Sequence, residues 1–169
     1  GEVFDKVARH LGLPYPGGPE ISKASSKINR SSYKFPRPMI KTSCYNFSFS
    51  GLKTHVTQLI NKTELSDVLI SDIAYDFENA IIDVLITKTL RAAREHNIES
   101  IVIAGGVSAN EKLRARCNTE KGEKKIFFPD MAYSTDNGAM IAYMGWLKLS
   151  KISISNSLEI NPNPSSRFV

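Results

Sequence analysis

Apolar positions along the chain recur at two periods, and the alternation between them predicts an α/β domain. Val3, Phe4, Val7 and Leu11 fall at helical spacing over residues 2–11, with Asp5, Lys6 and Arg9 elsewhere on the turn. The longest helical pattern covers residues 72–96, where Ile73, Phe77, Ala80, Ile81, Val84, Leu85, Thr89 and Leu90 draw a wide apolar stripe that reads as core. Arg91 and Arg94 then suit the negative end of its dipole. Shorter helices are expected over residues 52–59 and 111–116, and from a cap at Ser134 or Thr135 through Trp146. Ile101-Val102-Ile103-Ala104 is apolar throughout and rich in β-branched residues, the signature of a buried parallel strand. Residues 125–129 read as a second short strand, and Tyr45-Asn46-Phe47-Ser48-Phe49-Ser50 alternates as a strand with one buried face would.

The connections are as distinctive as the elements. Residues 13–20 hold Pro14, Pro16, Gly17, Gly18 and Pro19, which predicts a stiff, shaped loop with no regular structure, either a plain connection or a wall that faces a ligand. Residues 21–30 suit a surface helix or loop, residues 33–40 an exposed connection and residues 118–123 a charged break. The domain is expected over residues 1–150, with an inserted helical and loop segment at about 13–70, followed by an extended tail over 151–169.

Charge adds a bias toward polyanions. Lys and Arg total 22 against 17 Asp and Glu, a formal charge of +5, which favours tRNA or a nucleotide as partner without requiring either. Cys44 and Cys117 lie far apart and indicate neither a zinc site nor a disulfide framework, so a reducing cytoplasm is the expected setting. No apolar run reaches the length of a membrane span and no signal-peptide pattern is present; a soluble protein with no membrane partner is expected. The chain opens at Gly1 without a methionine and passes directly into a helical pattern, as a cut or processed sequence would.

Candidate chemistry gathers after the central strand. Gly105 and Gly106 let a flat ligand approach the backbone, and Ser108, Ala109 and Asn110 open a helix whose first amides favour an anion or polar acceptor. The pattern is neither a Walker loop nor Gly-x-Gly-x-x-Gly, and a strand–helix turn without a ligand reads equally well. Asp5, near Glu2, fits a solvated first-turn acid. Asp136 reads either as a capping or first-turn acid, or as a hard oxygen ligand for a metal or a phosphate-bound Mg²⁺. Lys53 after Gly51 could meet a phosphate or simply lie on the surface, and His55 reads as structural or solvent-facing.

Taken together, five separated stretches resemble one family: residues 1–8, Tyr15-Pro16-Gly17-Gly18-Pro19, residues 47–54, Ala104-Gly105-Gly106-Val107-Ser108-Ala109-Asn110, and Ser134-Thr135-Asp136-Asn137-Gly138-Ala139-Met140. They resemble the tRNA N6-adenosine threonylcarbamoyltransferases, formerly named O-sialoglycoprotein endopeptidases, and the Phe-Ser-Phe-Ser-Gly-Leu-Lys-Thr form is closer to the bacterial branch. The resemblance implies a fold of the actin, hexokinase and sugar-kinase type, in which two ribonuclease-H-like lobes close on a nucleotide. It implies transfer of a threonylcarbamoyl group from threonylcarbamoyl adenylate to N6 of the adenosine beside the tRNA anticodon. Carried over by position, Asp5, Gly18 and Asn110 would bind the adenylate or an adenine nucleotide, Gly105 and Gly106 would form the adenosine-facing loop, and Asp136 would be a metal ligand. One divalent metal ion, iron or zinc, is implied as cofactor. tRNA, a paralogous same-fold subunit and a small ATPase are implied as partners.

Departures from the pattern bound the resemblance. The family's paired metal-binding histidines, four residues apart, are missing, since the histidines here are His10, His55 and His96. The Ser-Gly-Gly-His hairpin is missing too, so the chain is expected to match the C-terminal portion: a partial ribonuclease-H-like lobe, without the first lobe and the opening strands of the second. Self-association through an uncovered sheet edge is a further expectation. Ser22 stands where many relatives carry an acid that can touch the ribose. No catalytic residue is identified, and the isolated segment is expected to be inactive. Two alternatives are a non-catalytic nucleotide-binding subunit of the same fold, against which Asp136 argues, and a metal-dependent glycoprotein endopeptidase, for which no His-Glu-x-x-His motif is found.

Overall fold

The computed structural model describes residues 1–149. Residues 1–135 form one compact unit, and a second begins at Asp136. The first contains α1 (Glu2–His10), α2 (Gly17–Ser25), α3 (Ser50–Ile60), α4 (Asp67–Glu95), β1 (Ser100–Val102), α5 (Glu111–Glu120) and β2 (Lys125–Phe127). In the second, α6 (Gly138–Leu149) is described. The extended tail expected over residues 151–169 lies outside the described residues.

α4 is the axis of the first unit. Its 29 residues start at the Ser66 cap, whose hydroxyl accepts the Leu69 amide at 3.4 Å, and its apolar stripe serves two cores in succession. Ile73, Ala74, Phe77, Ala80 and Ile81 pack with Phe4 and Val7 of α1, Ile21 of α2, and Leu52 and Val56 of α3. Farther along, Ile82, Ile86 and Leu90 pack with Leu113 and Cys117 of α5 and against Ile101, Ile103, Ile126 and Phe128. The stripe is core, as its period predicts. Among the buried polar side chains along it, Asp76, Glu78 and Lys88 each tie down another segment. Asp76 accepts the Ser31 hydroxyl (2.7 Å) and the amides of Ser32 (2.8 Å) and Tyr33 (2.6 Å). Lys88 donates to the Met39 carbonyl at 2.9 Å.

β1 and β2 pair in parallel, with Ser100 opposite Lys125, Ile101 opposite Ile126 and Val102 opposite Phe127. The expectation of a strand buried on both faces is corrected. Ile101, Ile103, Ile126 and Phe128 face the core, whereas Val102 is 74% and Phe127 52% exposed. Side chains alternate across a strand, and only one face of this pair is packed.

Four other expectations change. Residues 45–50 form no strand: Tyr45 and Phe47 are exposed and Ser50 already begins α3, because alternation builds a strand only where a neighbour supplies hydrogen bonds. The loop over 13–20 gives way at Gly17 to α2, with extended Pro16 at the cap and Pro19 in the first turn, where the missing N–H costs nothing. Residues 21–30 are not all surface, since Ile21, Ala24 and Ser25 are buried. The charged break over 118–123 starts late, since α5 runs on to Glu120.

Gly17 is required by close packing. A Cβ there would stand 2.6 Å from the Asp5 Cα, 2.8 Å from the Ala8 Cβ and 2.9 Å from the Phe4 carbonyl oxygen, so α1 and α2 meet only because no side chain intervenes.

In the second unit, the Asn137 Oδ1 accepts the Met140 amide at 2.9 Å, so Asn137 caps α6 in place of Ser134 or Thr135. Asp136 accordingly precedes the helix instead of sitting in its first turn. No helix among the described residues is long and apolar enough to cross a membrane.

Candidate functional site

The glycine turn after β1 forms as its residues dictate. Gly105 has φ +86°, a left-handed conformation that a side chain would strain, and its carbonyl accepts the Ser108 amide at 2.8 Å. A single 3-10 turn over Gly106–Ala109 follows and delivers Asn110 to the start of α5. Gly105 and Gly106 are exposed, and a Cβ on either would meet nothing within 4 Å, so the turn is open to a ligand from outside. Beneath it, between α4, β1 and α5, lies an apolar cavity of about 290 Å³ lined by Leu85, Ile86, Leu90, Val107, Leu113 and Cys117. Among the described residues no charged side chain lines it.

Asn110 is the hinge of the polar site. Its Oδ1 accepts the Leu113 amide at 2.8 Å, capping α5, while its Nδ2 donates to the Glu78 Oε1 (2.7 Å) and to the Ser22 Oγ (3.0 Å). Glu78, only 1% exposed, also accepts the hydroxyls of Ser22 and Ser25, each at 2.6 Å, and the Lys112 ammonium at 2.8 Å. Burial pushes its carboxyl upward, but Lys112, Ser22, Ser25 and Asn110 together hold it below the ordinary glutamate value, and it is ionised at neutral pH. Lys112 also lies 4.2 Å from the centre of the Tyr75 ring. The network joins α2, α4 and α5 at one point.

Asp5 and Gly18 approach from the other end of α2. The Asp5 Oδ1 accepts the Gly17 amide at 2.8 Å, satisfying a donor at the start of α2, and Gly18 follows half-buried. Gly18 and Ser22 are four residues apart on α2 and share a face. The first unit therefore brings Asp5, Gly18 and Asn110 to the surroundings of one helix, with Gly105 and Gly106 leading into Asn110. Asp136 belongs to the second unit.

Two residues that local patterns did not single out organise this region. Glu78 reads from sequence as one polar residue within an apolar helix. Arg114 donates from Nε to the Ser108 carbonyl (2.6 Å) and from Nη2 to the Pro129 carbonyl (2.7 Å), so it ties the glycine turn to the segment after β2. One signal was present. Lys112 and Arg114 are cations near the N-terminus of a helix, the end whose dipole disfavours them, so both need acceptors from elsewhere.

A family model described as tRNA N6-adenosine threonylcarbamoyltransferase, TsaD, matches residues 1–143. The chain belongs to this family. It is 47% identical over 166 residues to the protein of that name from Thermosipho africanus, covering 96% of this chain and 50% of that one. It is 46% identical over 157 residues to the Ralstonia pickettii protein of the same name, covering 88% of this chain and 45% of that one. The Sulfurihydrogenibium sp. protein, again so named, is 46% identical over 170 residues, covering 99% of this chain and 49% of that one. The chain thus spans about half the length of the curated relatives it matches.

The metal that resemblance to threonylcarbamoyltransferases implies does not fit the donors described. Among the described residues no three His, Cys, Asp or Glu side chains come together in a way that could hold a metal ion. His10, His55 and His96 lie exposed on α1, on α3 and after α4, and the His55 ring packs edge-on against Phe35. A lone carboxylate such as Asp136 supplies too few ligands.

Proposed function

We propose that this chain forms one wall of the adenylate site of an enzyme that transfers a threonylcarbamoyl group from threonylcarbamoyl adenylate to N6 of the adenosine beside the tRNA anticodon. The observation that carries the reading is the hydrogen bond from Asn110 to Ser22, two residues 88 apart in sequence, on the helix that also bears Gly18. Asp5, Gly18, Gly105, Gly106 and Asn110 are the proposed nucleotide contacts, in one partial ribonuclease-H-like lobe of the actin and sugar-kinase type.

In the reaction, the N6 nitrogen attacks the carbamoyl carbon of the mixed anhydride. A C–N bond forms, the C–O bond to phosphate breaks, AMP leaves with the electron pair and the nitrogen loses a proton. This chain's residues bind and orient. The open glycine turn lets the adenosine lie against the backbone, and Asn110 meets it at the start of α5. No step is assigned to a metal, and Asp136 would be at most one ligand of a set completed outside the described residues. A tRNA substrate belongs to this reading. By the same resemblance, so do a paralogous same-fold subunit and a small ATPase.

The test uses the full gene product together with the same-fold subunit, the small ATPase and ATP, with threonylcarbamoyl adenylate and unmodified tRNA, followed by mass spectrometry of the digested nucleosides. Threonylcarbamoyladenosine is expected, with Asn110→Ala lowering the rate about tenfold or more. Absence of the modified nucleoside from the reaction of a folded wild-type protein would overturn the reading.

A further inference from the structure

The buried carboxylate of Glu78 has four donors on it and touches no open surface, so it acts on any ligand only through its neighbours. What it does to those neighbours follows from counting hydrogens. An ionised carboxylate only accepts, and a primary amide has two hydrogens to give. Asn110 Nδ2 lies 2.7 Å from the Glu78 Oε1 and 3.0 Å from the Ser22 Oγ, and those two oxygens are only 2.6 Å apart, so a single amide hydrogen directed between them serves both contacts. Ser22 has one hydrogen, which goes to Glu78; its oxygen receives Asn110 and also keeps one lone pair. Half-buried Ser22 is left with acceptor capacity alone.

Resting on the adenylate-site reading above, we infer that Glu78 is a positioning residue that makes Ser22 present an acceptor only, so that the site selects nucleotides by groups that donate. In an adenine nucleotide those groups are the ribose hydroxyls and the exocyclic amine. Lys112 supplies the charge that lets a buried carboxylate remain an acceptor, and Ser25 fills its remaining lone pair. A neutral amide at position 78 would offer hydrogens of its own. The Ser22 hydroxyl could then turn and donate, and its acceptor-only character would be lost.

The experiment measures binding of ATP, 2′-deoxy-ATP, 3′-deoxy-ATP and ITP to the full gene product by calorimetry, for wild type, Glu78→Gln, Ser22→Ala and Asn110→Ala, with circular dichroism to establish folding. Wild type is expected to bind at least one of the three analogues about five- to tenfold more weakly than ATP, the loss expected for one hydrogen bond. Which analogue suffers distinguishes ribose from base. Folded Glu78→Gln is expected to bind all four within about twofold of one another. A variant that weakens all four equally would show a merely structural role, and one that keeps the wild-type ratios would exclude any role; either result overturns the proposal. Should Glu78→Gln not fold, Ser22→Ala must abolish the discrimination, and its retention there overturns the proposal. If wild type does not bind ATP, or Asn110→Ala leaves ATP affinity unchanged, the adenylate-site reading itself fails and this inference with it.

Discussion

The Gly17 amide donates to the Asp5 carboxylate at 2.8 Å, and a Cβ on Gly17 would stand 2.6 Å from the Asp5 Cα. One contact thus closes α1 against α2 and at the same time holds a side-chain oxygen of α1 on the first amide of α2. Gly17→Ala must push the helices apart, and a loss of about 1–3 kcal/mol is expected from overpacking against backbone. Urea denaturation checks this by a lowered midpoint at unchanged slope.

Gly18→Ala separates binding from folding. A Cβ at Gly18 meets nothing within 4 Å, and the residue lies in the first turn of α2, so stability should stay within about 1 kcal/mol of wild type. A ligand seated on that surface would meet the new methyl group. The expected outcome is weakened adenine-nucleotide binding with an unchanged melting temperature, read by calorimetry and thermal melts.

Acid should weaken the fold through Glu78. Its carboxyl is held below the ordinary value of 4.5, burial being outweighed by Lys112, Ser22, Ser25 and Asn110. A depressed folded-state value means that the stabilisation is fully present above the unfolded-state value and is lost as pH falls through the folded one. Melting temperatures of wild type and Glu78→Gln followed from pH 7 to about pH 3 should converge below the unfolded value near 4.5. Parallel curves would exclude Glu78 as a source of acid sensitivity.

The two thiols should react at very different rates. Cys44 is exposed, and hydrogen bonds from Thr42 and the Asn46 backbone draw its thiol below the usual value. Cys117 is packed under α4, where burial and Glu120 push its thiol up. Alkylation with iodoacetamide at neutral pH, read by peptide mass spectrometry, should label Cys44 many-fold faster. Comparable labelling would mean that the second core opens readily.

Residues 1–169 alone are expected not to modify tRNA, because the chain spans only about half the length of the curated relatives it matches. Incubation with threonylcarbamoyl adenylate and tRNA, followed by nucleoside mass spectrometry, checks this. Appearance of the modified nucleoside would overturn it.

Periodicity and glycine chemistry by themselves determined α1, α3, the body of α4, the two parallel strands and the turn at Gly105, because each depends on a residue's nearest neighbours in sequence. The five stretches that carry the family resemblance were legible for the same reason. Tertiary structure decided the rest. Residues 45–50 alternate correctly and still form no strand, since a strand needs a partner that local sequence cannot supply. Ile101-Val102-Ile103 is apolar throughout, yet only the residues that meet α4 and α5 are covered. Gly17 looked like one more loop glycine until α1 was placed within 3 Å of where its side chain would be. The clearest case is Glu78, whose meaning lies in donors brought from Ser22, Ser25, Asn110 and Lys112. A buried charge is determined by what surrounds it in space, and those four donors come from two other helices.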